Sequence, residues 1–307
     1  MRRIDAKLSR ANCPSCPIRP VQMSPLMAVT GVTGIVGGGV ARQLAAAGIP
    51  QRLIVRSANR TPSIPAAEVA VASYADFAGS RTALQGIDTV FMVSGAEDPN
   101  RLADHRTFID AAAAAGVHRI VYTSFFGANA SSTFLLGRDH WFTEEHLRAS
   151  GLAFTLLRNN LYADQFLDWA GPEGVLAGPA GDGRVAVVSR TDVVDVAAVI
   201  LRAAFQVGRQ VSQHDRATYG LSGPAALSLD EIAATISRVT GHLTRYQPET
   251  LDEAHASRAM YDAPQWMVDA WISTYTAIAA GELDEVTDDV QRLTGRPAMS
   301  YAELLGE

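Results

Sequence analysis

Residues 31–40 read GVTGIVGGGV and follow the apolar run LMAVT at 26–30. Five of the ten are glycine, although each glycine costs backbone entropy at the start of a helix. That cost makes sense where something must approach the backbone more closely than a side chain allows, and a dinucleotide pyrophosphate seated on a helix N-terminus is such a guest. The glycines lie between a strand-like run and a helical pattern. Val36, Val40, Leu44 and Ala47 fall on one side of that helix, and Gly48 stands where a C-terminal cap belongs. Gly31, Gly34 and Gly37 form G-x-x-G-x-x-G, which gives a tight turn, close approach to a pyrophosphate and close packing of helix on sheet. Gly38 and Gly39 exceed that need and are assigned to helix packing.

The pattern repeats downstream. RLIVR at 52–56, AEVAV at 67–71, DTVFMV at 88–93, HRIVYT at 118–123 and AFTLLR at 153–158 are continuously apolar runs separated by helical stretches. Such runs mark strands buried on both faces of a parallel sheet. One helix follows EDPN, with Leu102, Phe108, Ile109 and Ala112 inward and Gly116 at its end. Strand–helix repetition with right-handed crossovers predicts an α/β, Rossmann-type, doubly wound parallel sheet with its ligand crevice at the carboxyl ends of the strands. The core is expected over residues 25–160, followed over 161–307 by a smaller C-terminal substrate lobe partly interleaved with it.

Which dinucleotide fits is read at the end of the second strand. A ribose 2'-hydroxyl calls for a carboxylate about 20 residues beyond the glycines, and a 2'-phosphate for a guanidinium. The segment LIVRSANR offers Arg56 and Arg60, with no acid before Glu68, so NADP(H) is expected over NAD(H). The competing reading of Arg56 is a solvent-exposed end of the strand.

Composition bounds the rest. The 307 residues are 48% hydrophobic and 19% charged, with formal charge -6, so no basic field is available for nucleic acid. No apolar run reaches about 18 residues, so no membrane span is expected. Residues 1–24 hold five basic residues against one acid, three prolines and both cysteines. They read as a disordered leader, and Met23 offers a later start of translation, which would make the leader non-native. Cys13 and Cys16 have half the spacing of a zinc or redox site with no second pair, so no metal is expected. The absence of a disulfide framework fits a cytoplasmic protein.

VTGVTGIVG, LIVR, VSGAED, GVHRIVYTSF, DHWFTEEHLRASGLAFTLLRNNLYAD, AGDGRVAVVSRTDVVDVAAVIL and RLTGRPAMSYAEL together resemble the NmrA-like branch of the atypical short-chain dehydrogenases/reductases, and within it the bacterial NAD(P)H:quinone oxidoreductases. The most specific identifiers are H-x-x-T-E at His140, Thr143 and Glu144 and L-R-N at Leu157 to Asn159.

The resemblance implies cofactor contacts from Gly31, Val32, Thr33, Gly34, Ile35, Val36, Gly37, Arg56, Tyr74, Ser94, Gly95 and His140. It places Phe125, Phe126, Asn160 and Tyr162 toward a substrate, although either phenylalanine could equally be core. Ser73-Tyr74 stands where the branch commonly carries Asp-Tyr near the adenine.

The wider superfamily uses Y-x-x-x-K, whose lysine lowers the tyrosine pKa. Here the one lysine is Lys7, and with His140 in the lysine slot the tyrosine slot is Leu136. Ser124 still matches the superfamily serine. Ser124 and His140 are therefore the catalytic candidates, with Glu144 one turn on to orient the imidazole. Quinone reduction asks little of a general acid, because the charge spreads into an aromatic phenolate.

The expected function is an NADPH-dependent reductase of quinones or similar electron-poor molecules. The other reading is an NADP(H)-sensing regulator of the NmrA type without catalysis. The expected partner is a small quinone-like substrate, with no nucleic acid and no membrane, and a homodimer is the one assembly kept open.

Further along, RVAVVSRTDVVDVAAVILRAA reads as a strand followed by a helix capped by Thr191 or Asp192, with Val193, Val196, Ala197 and Ile200 buried. Trp266, Met267 and Trp271 are assigned to a roof over the site or to packing of the lobe.

Overall fold

A computed structural model describes residues 27–306. The leader, with Cys13, Cys16 and Met23, lies outside the described residues.

The chain opens with β1 (Met27–Thr30), α1 (Ile35–Ala46), β2 (Gln51–Val55) and β3 (Ala67–Val71), followed by α2 (Phe77–Ala83) and β4 (Thr89–Met92). Then come α3 (Arg101–Ala114), β5 (Arg119–Phe125), α4 (Leu135–Ala149) and β6 (Ala153–Asn159). The second half contains α5 (Gln165–Ala170), β7 (Val175–Gly178), β8 (Arg184–Val185), α6 (Arg190–Val207), β9 (Ala217–Leu221) and β10 (Leu227–Ser228). It closes with α7 (Leu229–Thr240), β11 (Arg245–Pro248), α8 (Leu251–Arg258), α9 (Gln265–Ala279), α10 (Asp289–Thr294) and α11 (Tyr301–Leu305).

Seven strands form one sheet in the order β3-β2-β1-β4-β5-β6-β9, and every neighbouring pair is parallel. The strand order reverses at β1, whose neighbours are β2 on one side and β4 on the other. The crevice for a ligand opens at such a reversal, beyond the strands' carboxyl ends. In this chain Thr30 and Gly31 leave β1 beside Val93 and Ser94 leaving β4.

Each face of the sheet carries an apolar layer. Val36, Val40 and Leu44 of α1 pack with Val193, Val196, Ala197 and Ile200 of α6 on one face, all buried. Phe108, Ile109 and Ala112 of α3 and Leu147 of α4 cover the other. Burying a leucine such as Leu44, 0% exposed, contributes about 1.5–3 kcal/mol. A third cluster, with Phe166, Ile232, Ile236, Ile278 and Tyr301, holds the later elements together.

Three expectations need correction. β3 is an edge strand rather than one buried on both faces, and Val69 and Val71 are exposed because no strand or helix covers that side. The cap of α6 is Ser189, whose side chain accepts from the backbone N–H of Asp192, so the helix begins at Arg190. The seventh strand, β9, comes from RATYGLSG, a run too broken by glycine and polar residues for its apolar pattern to show.

Candidate cofactor cleft and reaction site

Gly31 adopts φ +65° as the chain turns out of β1, and a Cβ there would lie 2.8 Å from Val93 Cβ. A Cβ on Gly37 would overlap the carbonyl oxygens of Thr30 and Gly31, so α1 is seated directly on the turn. Gly34 is the N-cap of α1 and offers no side chain, and the first turn of the helix contains no acid. The helix therefore presents uncapped backbone N–H groups and the positive end of its dipole to the crevice, a fit for a pyrophosphate. Gly38 and Gly39 also acquire a reason: added Cβ atoms would come within 2.8 Å of Val32 O and 2.7 Å of Val194 Cγ2 of α6 respectively.

A cleft of about 600 Å³ opens beside this turn. Of the expected cofactor residues, Gly31, Val32, Thr33, Arg56, Tyr74, Ser94 and Gly95 line it. Gly34, Ile35, Val36 and Gly37 begin the adjoining helix, with Ile35 exposed and Val36 turned into the core. Arg56 and Arg60 line the far end of the cleft, both are exposed, and among the described residues neither pairs with a carboxylate. Tyr74 shares a hydrogen bond of 2.6 Å with Thr30 Oγ1 and donates to Val93 O at 2.7 Å. Its ring packs on Phe108, and burial pushes its phenol well above the ordinary range.

Arg101, at the start of α3, links the cleft to a buried polar network. Its Nε donates to Gly95 O at 2.9 Å and its Nη2 donates to His140 Nε2 at 2.8 Å. A guanidinium can only donate, so Nε2 of His140 is the accepting nitrogen, and Nδ1–H donates to Tyr122 Oη at 2.9 Å. His105 follows the same logic. The Gly95 N–H donates to its Nε2 at 2.8 Å, and its Nδ1–H donates to Thr143 Oγ1 at 3.0 Å. Both imidazoles are neutral: burial, with Arg101 adding to it, drives His140 far below its ordinary value and His105 down to about 3. Burial likewise lifts the Tyr122 phenol above its ordinary range.

His140 does not line the cleft directly; Arg101 stands between. Glu144 does not orient His140 as expected. Tyr122 holds the other ring nitrogen, while Glu144 accepts from Ser124 Oγ at 2.5 Å, from Arg158 and from Arg148.

The four substrate candidates lie apart from the cleft lining. Phe125 packs on Phe134 and edges toward His140 at a ring-centroid distance of 5.9 Å. Phe126 is buried and lies against Gly220 of β9. Asn160 donates from Nδ2 to Leu283 O at 3.0 Å, a tie to the later elements. The ring of Tyr162 carries the Arg190 guanidinium at 4.7 Å, and its hydroxyl accepts from Asn159 Nδ2 at 3.1 Å. Trp271 reaches the cleft rim, donating from Nε1 to Glu97 Oε2 at 3.0 Å.

Sequence reasoning passed over Arg101, His105 and Tyr122. The signal was present in R-x-x-x-H at 101–105, which puts two polar groups on the same helical face as Phe108, Ile109 and Ala112. Among the described residues no cluster of three or more His, Cys, Asp or Glu could hold a metal ion, and no helix is long and apolar enough to cross a membrane.

Residues 31–204 match a family described as NAD(P)H-binding. The chain is 32% identical over 257 residues to quinone oxidoreductase 2 of Escherichia coli (strain K12), covering 81% of this chain and 86% of that protein. It is 31% identical over 274 residues to the NAD(P)H azoreductase of Xenophilus azovorans, covering 87% of this chain and 92% of that protein. The fold is similar to the crystal structure of the Escherichia coli NADPH-dependent quinone oxidoreductase complexed with NADPH, with TM-score 0.81 and 30% identity over 91% of this chain and 98% of that one.

Proposed function

The chain belongs to the NAD(P)H-binding family in its NmrA-like form and is an NAD(P)H-dependent oxidoreductase, and from that premise we propose that it draws hydride from NADPH in preference to NADH and delivers it to a quinone or a similarly electron-poor small molecule. Gly31, Gly34 and Gly37 with the α1 N-terminus would hold the pyrophosphate, Arg56 with Arg60 the 2'-phosphate, and Tyr74, Ser94 and Gly95 the wall of the cleft. When bound, the reduced nicotinamide supplies the hydride.

The observation that carries the choice of acceptor is the protonation state of the site. His140 has both ring nitrogens engaged and is neutral, Tyr122 is buried with a raised pKa, and Ser124 is hydrogen-bonded to Glu144. The single lysine, Lys7, precedes β1. A site so short of acids suits a reduction whose product spreads its charge over an aromatic ring and takes its proton from water. The chain's own part is then to orient the two reactants in a water-poor crevice.

NADPH and NADH oxidation by the purified protein, measured with a panel of quinones and azo compounds, tests the proposal. Quinone-dependent turnover that is faster with NADPH supports it. Tight NADPH binding without oxidation by any acceptor would overturn it in favour of a cofactor-sensing role.

A further inference from the structure

We infer that Arg101 sets the charge preference for the molecule that receives the hydride, favouring acceptors that are anionic or become anionic on reduction and disfavouring permanent cations. The inference rests on the reductase reading and narrows its substrate class.

Arg101 is 4% exposed yet lines the cleft. Its Nε and Nη2 are used on Gly95 O and His140 Nε2, but Nη1 is buried with no hydrogen-bond acceptor. The nearest carboxylate, Asp139 Oδ2, stands at 3.5 Å. A buried donor without an acceptor is costly, and a guanidinium cannot relieve the cost by losing its proton. An oxygen atom of a molecule bound in the cleft would satisfy it.

The neighbouring charges do not cancel this one. From α3, Asp104 lies in the first turn and His105 is neutral; from α4 come neutral His140 and partly buried Asp139. From the loop before α3, Glu97 and Asp98 are exposed, with Glu97 bonded to Trp271 and Asp98 accepting from the Asn100 N–H. Water and salt screen exposed rim charges far more than a buried guanidinium. Burial together with Asp98 raises the pKa of Asp104, and burial raises that of Asp139, which weakens both as counter-charges.

The reaction gives this cation a role. A neutral quinone that gains a hydride, one hydrogen nucleus with two electrons, becomes a hydroquinone monoanion, while the nicotinamide donor is oxidised by the same two electrons. Water then supplies the one proton that completes the hydroquinone. Arg101 stays protonated throughout and donates to the oxygen on which charge develops. A cationic dye would meet repulsion on entry and leave as a neutral product, so it gains nothing from the same group.

The test uses the full chain saturated with NADP+, which blocks the dinucleotide site and cannot reduce the probes. Binding of 2-hydroxy-1,4-naphthoquinone, an anion at neutral pH, is compared with that of crystal violet, a permanent cation. The naphthoquinone is expected to bind at least about tenfold more tightly. R101Q should weaken its binding by about tenfold or more and remove the preference, whereas R101K should keep it.

With NADPH, the ratio of kcat/KM for the two acceptors should fall in R101Q in the same proportion. Equal affinity of the unmutated protein for both probes overturns the inference without recourse to a variant. So does an R101Q protein that keeps the preference, or one whose loss is confined to NADP+ affinity. If neither acceptor supports NADPH oxidation, the reductase reading fails, and the binding order still decides the role of Arg101.

Discussion

Ser124 Oγ donates to Glu144 Oε1 at 2.5 Å, with the serine 3% and the glutamate 0% exposed. The same carboxylate accepts from Arg158 Nε at 2.9 Å and Nη2 at 2.7 Å and from Arg148 Nη2 at 2.9 Å. The one proton of the hydroxyl is thereby committed to joining β5 to α4. Ser124→Ala is expected to cost about 1.5–3 kcal/mol of stability, the worth of a hydrogen bond to a charged group. Turnover at saturating NADPH should fall by less than about tenfold, or about 1.4 kcal/mol of barrier. Denaturant unfolding and steady-state kinetics on the same sample check both. A hundredfold loss of turnover at unchanged stability would return the serine to the chemistry.

Arg56 is exposed at the cleft end and pairs with no carboxylate among the described residues. Arg56→Ala should weaken NADPH binding by about 1.5–3 kcal/mol at low salt and NADH binding far less. Raising the ionic strength should narrow the difference, because exposed charges are screened. Equal losses for the two dinucleotides in a fluorescence titration would mean that the arginine does not read the 2'-phosphate.

The glycine turn separates positions that look alike in sequence. A Cβ at Gly34 would meet Gly31 O at 3.4 Å, an ordinary contact, whereas one at Gly37 would overlap two backbone carbonyls. Gly37→Ala should therefore displace α1 and abolish measurable NADPH binding, and Gly34→Ala should preserve the fold and weaken binding only in part. Circular dichroism and NADPH titration of the pair test this ordering.

The sheet was legible because β1, β2, β4, β5 and β6 are buried and so are continuously apolar, and because Gly31, Gly34 and Gly37 can be read without tertiary information. β9 was not, since Ala217, Thr218 and Gly220 carry little apolar signal and the strand is specified by its neighbour β6. The site was legible where the backbone makes it and obscure where side chains from distant segments meet. Arg101 and His140 are 39 residues apart, and nothing local to either shows that one occupies the other's nitrogen. Glu144 illustrates the converse. Its i+4 spacing from His140 suggests a pair, but the turn of α4 points it at Ser124, Arg148 and Arg158 instead.

The buried histidines make stability depend on pH in a definite direction. His105 is held down to about 3 and His140 well below its ordinary value, both chiefly by burial. Between about 6.5 and those values the unfolded chain binds protons that the folded chain refuses, so stability is full above pH of about 6.5 and falls as the pH drops. Each such group contributes a slope of up to about 1.4 kcal/mol per pH unit. Carboxylates held low, such as Asp215 and Glu282, lose their contribution only below about pH 4.5, so the interval above that isolates the histidines. His105→Gln supplies an acceptor for the Gly95 N–H and a donor for Thr143 but cannot titrate, and unfolding measured from pH 7 to 4.5 should show a flatter slope. An unchanged slope would mean that His105 does not carry it.

His140 offers the sharpest division between a positioning imidazole and a proton donor. Its Nε2 accepts from Arg101 and its Nδ1–H is directed at Tyr122, so in the neutral range it has no proton to give that is not already holding the network together. His140→Ala leaves the Arg101 Nη2 and Tyr122 Oη without their partner and loosens the residue that lines the cleft. The expected outcome is a rise of about tenfold in KM for NADPH with a smaller fall in kcat, the pattern of lost ground-state positioning. His140→Gln can accept from Arg101 and donate to Tyr122, and should restore most of KM. In the unmutated protein, kcat against pH should lack a limb belonging to a single essential acid between pH 5 and 8, and His140→Gln should give the same flat profile. A steep limb that disappears in the glutamine variant, together with turnover abolished at saturating NADPH and binding intact, would make His140 the proton donor, and the acid-poor reading of the site would be wrong.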